Sequence, residues 1–157
     1  MGEAPIVSFR EATKSALLIL ILSGLSAVSA NLLRSKPMDV FSPLPELKTN
    51  DIGLLEARHL LGNPDVVFLD ARSEEAYRSA HVPGAINTPH DSLHKLYPQL
   101  EERLRAKIVV AYCSSPRCLK GDVVRAYLAK KGHRDVRVIR PGFSAWLNSR
   151  LPMESGL

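Results

Sequence analysis

The longest apolar stretch of the chain lies near its N-terminus, between Ser15 and Leu33. This stretch contains no charged residue, and basic residues flank it, Lys14 before and Arg34 after. A helix rises about 1.5 Å per residue, so a helix of this length spans roughly 28 Å, close to the hydrocarbon thickness of a bilayer. The pattern therefore predicts a single-pass transmembrane helix over residues 15–33, which anchors the chain in a membrane.

Two other interpretations of this stretch remain open. Val28-Ser29-Ala30 is a candidate processing site for a cleavable signal peptide, and a buried core helix is also apolar. Two basic residues stand on each side of the stretch, so the charge pattern does not fix its orientation. The simpler topology keeps the tail, residues 1–14, inside and places the soluble domain on the translocated side.

Beyond residue 33 the pattern changes to a linker followed by short alternating elements. Residues 34–46 contain three prolines and no periodicity, which predicts an extended linker. Apolar runs predict strands over 66–69, 85–87, 108–111 and 136–139, and helical spacing predicts helices over 51–61, 73–79, 91–104, 119–131 and 143–148. Pro98 is expected to split one of these helices. The alternation predicts an α/β domain over residues 47–152, with a parallel sheet covered on both faces and a tail over 153–157.

Composition excludes several classes of function. The chain has 157 residues, which is enough for one globular domain. Its net charge is +5, and its basic residues are not interleaved with aromatic ones, so we expect no nucleic-acid partner. Two cysteines five positions apart do not constitute a disulfide framework. His90, His94 and His133 lack the spacing of metal ligands relative to the cysteines, so we expect neither a metal site nor a cofactor.

The strongest candidate for chemistry is Cys113, which lies between a predicted strand and a predicted helix. Ligands bind at such positions in open α/β sheets, and free N–H groups at a helix start favour a thiolate. The residues that follow, Ser114, Ser115, Pro116 and Arg117, are polar or turn-forming, which argues against burial. We therefore expect a reactive Cys113, although a small buried cysteine in a βα turn is the alternative.

Four motifs follow one another along the chain: Asp70-Ala71-Arg72, His81-Val82-Pro83-Gly84-Ala85-Ile86-Asn87, Tyr112-Cys113 at the start of a six-residue loop, and Gly142-Phe143-x-x-Trp146. Together they resemble the rhodanese-like sulfurtransferase domain. The resemblance covers about residues 47–152 and implies a single domain with a central parallel sheet of about five strands flanked by helices. It also implies that Cys113 accepts a sulfane sulfur, becomes a persulfide, and passes the sulfur to a nucleophile such as a thiol or cyanide.

The loop from Cys113 to Cys118 departs from the family pattern. Family members often have Cys-Arg-x-Gly-x-Arg or -Thr, whereas this chain has Cys-Ser-Ser-Pro-Arg-Cys. Pro116 lacks an N–H group, and Cys118 stands where Arg or Thr is usual, so the sulfur donor is not fixed by the resemblance. A phosphatase on the same fold needs Cys-x5-Arg, and Leu119 occupies that arginine position.

Roles for the other motif residues follow from their positions. Asp70 and Arg72 are expected to hold the fold together through a cap or an ion pair, with Arg72 in the pocket as the alternative. Arg117 is a candidate for contacts with an anionic donor or, equally, a solvated arginine. Two further hypotheses stay open: a dithiol redox protein that uses Cys113 and Cys118, and a non-catalytic binding module on the same fold.

Overall fold

The computed structural model describes residues 9–33 and 48–156, which fall in two separate units. The first unit contains one helix, α1, which extends over Phe9–Leu32. Its segment Arg10–Asn31 contains an 18-residue window with a mean hydropathy of 1.6, and the segment is long and apolar enough to cross a bilayer. This helix begins before the predicted start at Ser15, and the predicted linker over 34–46 lies outside the described residues.

The second unit is an α/β domain with five strands and five helices. The strands lie in one sheet of order β1-β5-β4-β2-β3, and every pairing between them is parallel. The predicted fold class is thereby confirmed. The elements of this unit are β1 (Asp51–Ile52), α2 (Leu54–His59), β2 (Val66–Asp70), α3 (Glu74–Ser79), β3 (Ile86–Asn87), α4 (Leu93–Leu104), β4 (Ile108–Tyr112), α5 (Lys120–Lys130), β5 (Val136–Ile139) and α6 (Gly142–Asn148).

Alternating residues of the central strands supply two separate cores, one on each face of the sheet. In β4, Val110 and Tyr112 pack with residues of α2, α3 and α6, whereas Val109 and Ala111 pack with residues of α4 and α5. All four of these side chains are fully buried. A strand that is buried on both faces consists of consecutive apolar residues, so the apolar run 108–111 before Cys113 clearly predicted a strand.

The predicted helix over 51–61 is wrong at its start. Asp51–Ile52 instead forms the edge strand β1, and the helix begins only at Leu54. The backbone of Val138 donates to the carbonyl of Asn50 at 3.0 Å, and that of Arg140 donates to the carbonyl of Ile52 at 3.1 Å. Pairing with a distant strand therefore prevails over the local helical spacing.

The predicted break at Pro98 is also wrong, because α4 continues through that residue to Leu104. A proline inside a helix removes one N–H donor, which costs stability but does not force the chain apart. Four side chains of α4 on both sides of Pro98 are buried in the core and hold the helix against the sheet. These are Leu93, Tyr97, Leu100 and Leu104.

Candidate functional site

The candidate site lies in the cysteine loop, residues 113–118, which directly follows the central strand β4. Strands β2 and β5 flank β4 on its two sides, so the loop emerges from the middle of the sheet at its carboxyl edge. Helix α5 begins at Lys120, two residues after the loop ends. Open α/β sheets bind their ligands at this edge, and the sequence-based position of Cys113 between a strand and a helix agrees with the structure.

The two cysteines of the loop are joined by a disulfide in this structure, with their Cα atoms 6.0 Å apart. Cys113 is only 3% exposed, whereas Cys118 is half-buried. The expectation that polar neighbours would keep Cys113 accessible is therefore wrong, because the strand end carries it into the domain. The loop thus contains the bridge that the dithiol hypothesis left open, although two cysteines at this spacing do not constitute a disulfide framework.

A tight turn brings the second cysteine back towards the first. The backbone N–H of Cys118 donates to the carbonyl of Ser115 at 3.0 Å, which closes a turn with Pro116 at its second position. Proline is favoured there because its fixed φ suits the turn. Pro116, which removes an N–H donor from the loop, thus shapes the path of the chain that allows the disulfide.

Other amides of the loop keep their hydrogen-bonding capacity. In the part of the chain that the structure describes, the N–H groups of Ser114, Ser115 and Arg117 donate to no protein oxygen. Because backbone N–H groups seldom stay unpaired, such amides are available to water or to an anion. The Arg117 side chain is exposed, and among the described residues it forms no ion pair, so its predicted contact with a donor stays a prediction.

Helix α6 follows β5, the strand next to β4, and its first residues form hydrogen bonds with the cysteine loop. The N–H of Phe143 donates to the carbonyl of Cys113 at 2.7 Å, and that of Ser144 donates to the carbonyl of Ser114 at 2.9 Å. Gly142 has φ +73, and a Cβ atom built there would lie 2.7 Å from the nitrogen of Ser115. A glycine is therefore required at position 142 for both its backbone conformation and this close approach.

Asp70 and Arg72 form a buried ion pair beside the loop. The Arg72 Nη2 atom lies 2.6 Å from Oδ2 of Asp70 and donates also to the carbonyl of Ala80 at 2.6 Å. The Arg72 Cζ atom lies 3.8 Å from the ring centroid of Phe143, a cation–π distance. Arg72 is 7% exposed and its guanidinium faces the Asp70 carboxylate, so the ion pair agrees with the expected support of the fold, and a place for Arg72 in the pocket stays a prediction.

Tyr112, the residue before Cys113, is also part of this scaffold. Its hydroxyl accepts a hydrogen bond from the N–H of Val82 at 3.1 Å, which ties the end of β4 to the turn before β3. Burial and, secondly, the negative charge of Asp70 raise the pKa of Tyr112 far above its usual range. Tyr112 therefore stays protonated at neutral pH and does not serve as a base for the neighbouring sulfur.

A second cluster of charges lies at the same edge of the sheet and was not predicted from the sequence; we call it the arginine cluster. Arg140 at the end of β5 contacts Asp51 through Nη2 at 2.7 Å and Asp122 through Nη1 at 2.8 Å. Arg125 contacts both of these carboxylates, and Lys48 contacts Asp122 at 3.0 Å. The cluster connects β1, the first turn of α5 and the end of β5, and so fixes the start of the helix that follows the cysteine loop.

The electrostatics of the arginine cluster favour the charged forms of Asp51, Asp122 and Arg140. Burial, the largest single effect, disfavours the ionised forms of Asp51 and Asp122, but the hydrogen bonds from Arg140 and Lys48 and the contacts with Arg125 together outweigh it. They hold the pKa of both carboxyls below the usual range. Hydrogen bonds to Asp122 and then Asp51 raise the pKa of Arg140. Because the contacts join residues as many as 89 positions apart, no local motif could have predicted them.

His81 and Glu154 tie the C-terminal segment to the domain. Their backbones form two hydrogen bonds, of 2.8 and 3.0 Å, and the His81 ring stacks on Tyr77 with centroids 3.8 Å apart. Residues 153–156, predicted as part of a free tail, therefore include a segment that is bonded to the turn before β3. The described residues contain no group of three or more potential metal-binding side chains.

A model of the family described as "Rhodanese-like domain" matches residues 54–149 of the chain. The chain is 30% identical over 95 residues to the thiosulfate sulfurtransferase GlpE of Coxiella burnetii, which covers 60% of this chain and 84% of that protein. It is 33% identical over 93 residues to an HTH-type transcriptional regulator of Mycobacterium tuberculosis, which covers 59% of this chain but only 39% of the regulator.

A solved structure agrees with this assignment. The thiosulfate sulfurtransferase from Pseudomonas aeruginosa superimposes with a TM-score of 0.57 and 29% sequence identity, over 73% of this chain and 21% of that one. The family model spans the domain from α2 to the end of α6, and it includes Cys113 and its supporting elements. The chain therefore belongs to the rhodanese-like domain family.

Proposed function

We propose that this chain is a sulfurtransferase in which Cys113 carries sulfane sulfur as a persulfide. The observation that carries the proposal is the position of Cys113 at the carboxyl end of the central strand, beside backbone amides of the loop. Among the residues that the structure describes, these amides have no protein oxygen as acceptor. Such amides stabilise a thiolate and also the anionic persulfide that it forms. Membership of the family and similarity to a thiosulfate sulfurtransferase support the same activity.

The reaction transfers one sulfur atom in two displacements. The thiolate of Cys113 attacks the sulfane sulfur of the donor, a bond forms between the two sulfurs, and the rest of the donor leaves with the electron pair. With thiosulfate, the leaving group is sulfite. A thiolate acceptor then attacks the outer sulfur, becomes a persulfide itself, and leaves Cys113 as a thiolate again.

The disulfide adds a condition to this cycle. A sulfur bonded to Cys118 is not a nucleophile, so Cys113 accepts sulfur only after the disulfide has been reduced. We expect the oxidised chain to be inert towards sulfane-sulfur donors and the reduced chain to be active. This dependence separates the present proposal from a binding module, which needs no thiol.

We further propose that α1 holds the domain at a membrane, with a single pass and the domain on the translocated side. The length and hydropathy of α1 support the anchor. The disulfide between the two cysteines supports the translocated side, because disulfides form and persist in oxidising compartments. A membrane-impermeant thiol reagent applied to intact cells, after mild reduction, tests the side. Labelling of Cys118 supports the proposal, and labelling only after lysis contradicts it.

Mass spectrometry of the loaded chain tests the activity directly. The full chain with Cys118→Ser, which keeps the sulfur on Cys113, is reduced, freed of reductant and incubated with thiosulfate or a thiosulfonate. We expect an adduct of about 32 Da, the mass of one added sulfur. The matched control, Cys113→Ser with Cys118 intact, should gain no adduct. An unmodified Cys118→Ser chain with every donor contradicts the proposal.

The disulfide also favours a second candidate, a dithiol redox protein that exchanges electrons through Cys113 and Cys118 without carrying sulfur. This candidate predicts disulfide reductase activity that is lost in both single variants and no adduct with any donor. The non-catalytic binding module predicts that Cys113→Ala retains function in vivo. Loading of Cys113 therefore excludes the second candidate as a complete description, and loss of function in Cys113→Ala excludes the third.

A further inference from the structure

We propose that Cys118 resolves the persulfide on Cys113 and releases the transferred sulfur as sulfide. The chain then acts as a dithiol-dependent, sulfide-releasing enzyme and not only as a carrier that passes sulfur to an acceptor. This step deepens the proposed function and rests on it, because a loaded Cys113 is its starting point. Three features of the cysteine loop support it.

The first feature is that the loop already brings the two sulfurs within bonding distance. The Cα atoms of Cys113 and Cys118 lie 6.0 Å apart, within the usual range for a disulfide, and their sulfurs are bonded. The turn closed by the N–H of Cys118 and the carbonyl of Ser115 holds this arrangement from within the loop. Resolution of the persulfide therefore requires no rearrangement of the domain.

The second feature is that the rest of the domain holds Cys113 in place while Cys118 stays near the surface. The carbonyls of Cys113 and Ser114 are bonded to the start of α6, whereas Cys118 is half-buried and its neighbour Leu119 is 56% exposed. An external thiol consequently reaches the sulfur of Cys118 more easily than that of Cys113. Attack on Cys118 leaves Cys113 as the thiolate, the form that the next sulfur donor needs.

The third feature is that the loop places a thiol where the family pattern has Arg or Thr. A thiol is a nucleophile towards a persulfide, which neither arginine nor threonine is at neutral pH. Cys118 also lies ahead of the first turn of α5, where the helix dipole favours a thiolate. The loop of this chain can therefore discharge a persulfide without a separate acceptor.

The step balances with no external oxidant. The thiol of Cys118 attacks Sγ of Cys113, the new Cys113–Cys118 bond forms, and the bond from Cys113 to the outer sulfur breaks. The outer sulfur leaves with the electron pair and takes the proton of the Cys118 thiol, as hydrosulfide. The two cysteines are oxidised to the disulfide and the sulfane sulfur is reduced to sulfide.

The next turnover requires a reductant, which we assign to the class of dithiols. A dithiol attacks Cys118, forms a mixed disulfide, and closes its own disulfide as it leaves the chain with two free thiols. The partner of the enzyme is then a dithiol reductant, and the product is sulfide. The disulfide seen in this structure corresponds to the state after sulfide has left.

A single-turnover experiment on the full chain tests this step. Wild-type protein is reduced, freed of reductant and mixed with thiosulfate, without any acceptor, and sulfide and sulfite are both measured. We expect about one sulfide and about one sulfite per chain, and then no further reaction until dithiothreitol is added. The matched variant Cys118→Ser, or Cys118→Ala as a second version, should release a similar amount of sulfite but almost no sulfide.

Tryptic peptides locate the sulfur, because trypsin cleaves after Lys107, Arg117 and Lys120 and so separates the two cysteines. Wild-type protein should show the peptide 108–117 linked to 118–120 by a disulfide. An adduct of about 32 Da that persists on wild-type Cys113, or that moves to Cys118, overturns the resolving role. If the Cys118→Ser chain fails to load at all, the proposed function itself fails, and the two failures are thus distinguishable.

Discussion

The cysteine loop and the paired charges around it lie at the same carboxyl edge of one sheet, yet they are built in opposite ways. In the Asp70–Arg72 pair and the arginine cluster, each buried charge faces a partner, and Arg140 and Arg125 each contact two carboxylates. In the loop, the amides of Ser114 and Ser115 donate to no described protein oxygen. The charged groups pair with one another, whereas the N–H groups of the loop remain available to water or to an anion.

This difference assigns separate roles to the two regions. A buried arginine that is held by carboxylates has little capacity left for a substrate, so Arg72 and Arg140 act as structural supports. Because these supports fix the ends of β2 and β5 and the start of α5, the loop that follows β4 can keep unpaired amides in place. We therefore expect substitutions in the charged regions to change stability and substitutions in the loop to change sulfur chemistry.

Breaking the Asp70–Arg72 pair should give the largest loss of stability. Asp70 is fully buried, and Asp70→Asn leaves the guanidinium of Arg72 without its counter-charge. Removal of one partner of a buried pair typically costs about 3–5 kcal/mol. The exposed pair of Glu74 and Arg78 is the matched control, and Glu74→Gln should cost no more than about 0.5 kcal/mol. Urea unfolding measures both, and equal losses would contradict the assignment of a structural role to the buried pair.

Acid should weaken the arginine cluster. The pKa of Asp51 and that of Asp122 are both lowered in the folded chain, so their stabilising contribution is present above the unfolded value of about 3.9 and is lost as pH falls below it. The free energy of unfolding should therefore decline steeply below about pH 4. In Asp122→Asn the decline should be shallower, and an unchanged slope in that variant would refute this source of stability.

Gly142→Ala tests the contact between α6 and the cysteine loop. The added methyl group meets the nitrogen of Ser115 at 2.7 Å and also strains a backbone with φ +73. Gly62 has nearly the same φ, +75, but nothing within 4 Å of a Cβ atom there, so Gly62→Ala isolates the backbone strain. Both variants should lose about 1 kcal/mol from strain. Only Gly142→Ala should also slow the loading of Cys113, and equal loading in the two would show that the close approach has no effect on the site.

Arg117→Ala should have the smallest effect. Its side chain is exposed and forms no ion pair among the described residues, so stability should change by less than about 0.5 kcal/mol. If Arg117 attracts an anionic donor, the KM for thiosulfate rises a few-fold with kcat unchanged, whereas a neutral donor is unaffected. Steady-state kinetics with both donors decides, and a fall in kcat would contradict a role limited to binding.

The sequence predicted the parts of the fold that depend on local patterns. The apolar runs at 66–69, 108–111 and 136–139 became strands within one residue of their predicted bounds, because strands buried on both faces carry a strong local signal. The helix predicted over 73–79 is α3, Glu74–Ser79, and the side chain of Ser73 caps it by accepting a hydrogen bond from the N–H of Ala76. Strand β1 was missed because two residues are too few to show a period.

The site was predictable only in part. The position of Cys113 followed from its neighbours along the chain, but its burial and its bond to Cys118 depend on how the loop turns at Pro116. The arginine cluster and the approach of Gly142 to Ser115 join residues that are far apart in sequence. Local sequence patterns could not predict that these residues lie close together in the fold.

The most direct test of the account is to locate the transferred sulfur in the reduced Cys118→Ser chain. After a brief exposure to thiosulfate or a thiosulfonate, the thiols are blocked and the tryptic peptide 108–117 is weighed. The account predicts a gain of about 32 Da on this peptide, confined to Cys113. A peptide that stays unmodified with every donor, in a chain that remains folded, would contradict the claim that Cys113 is the sulfur carrier.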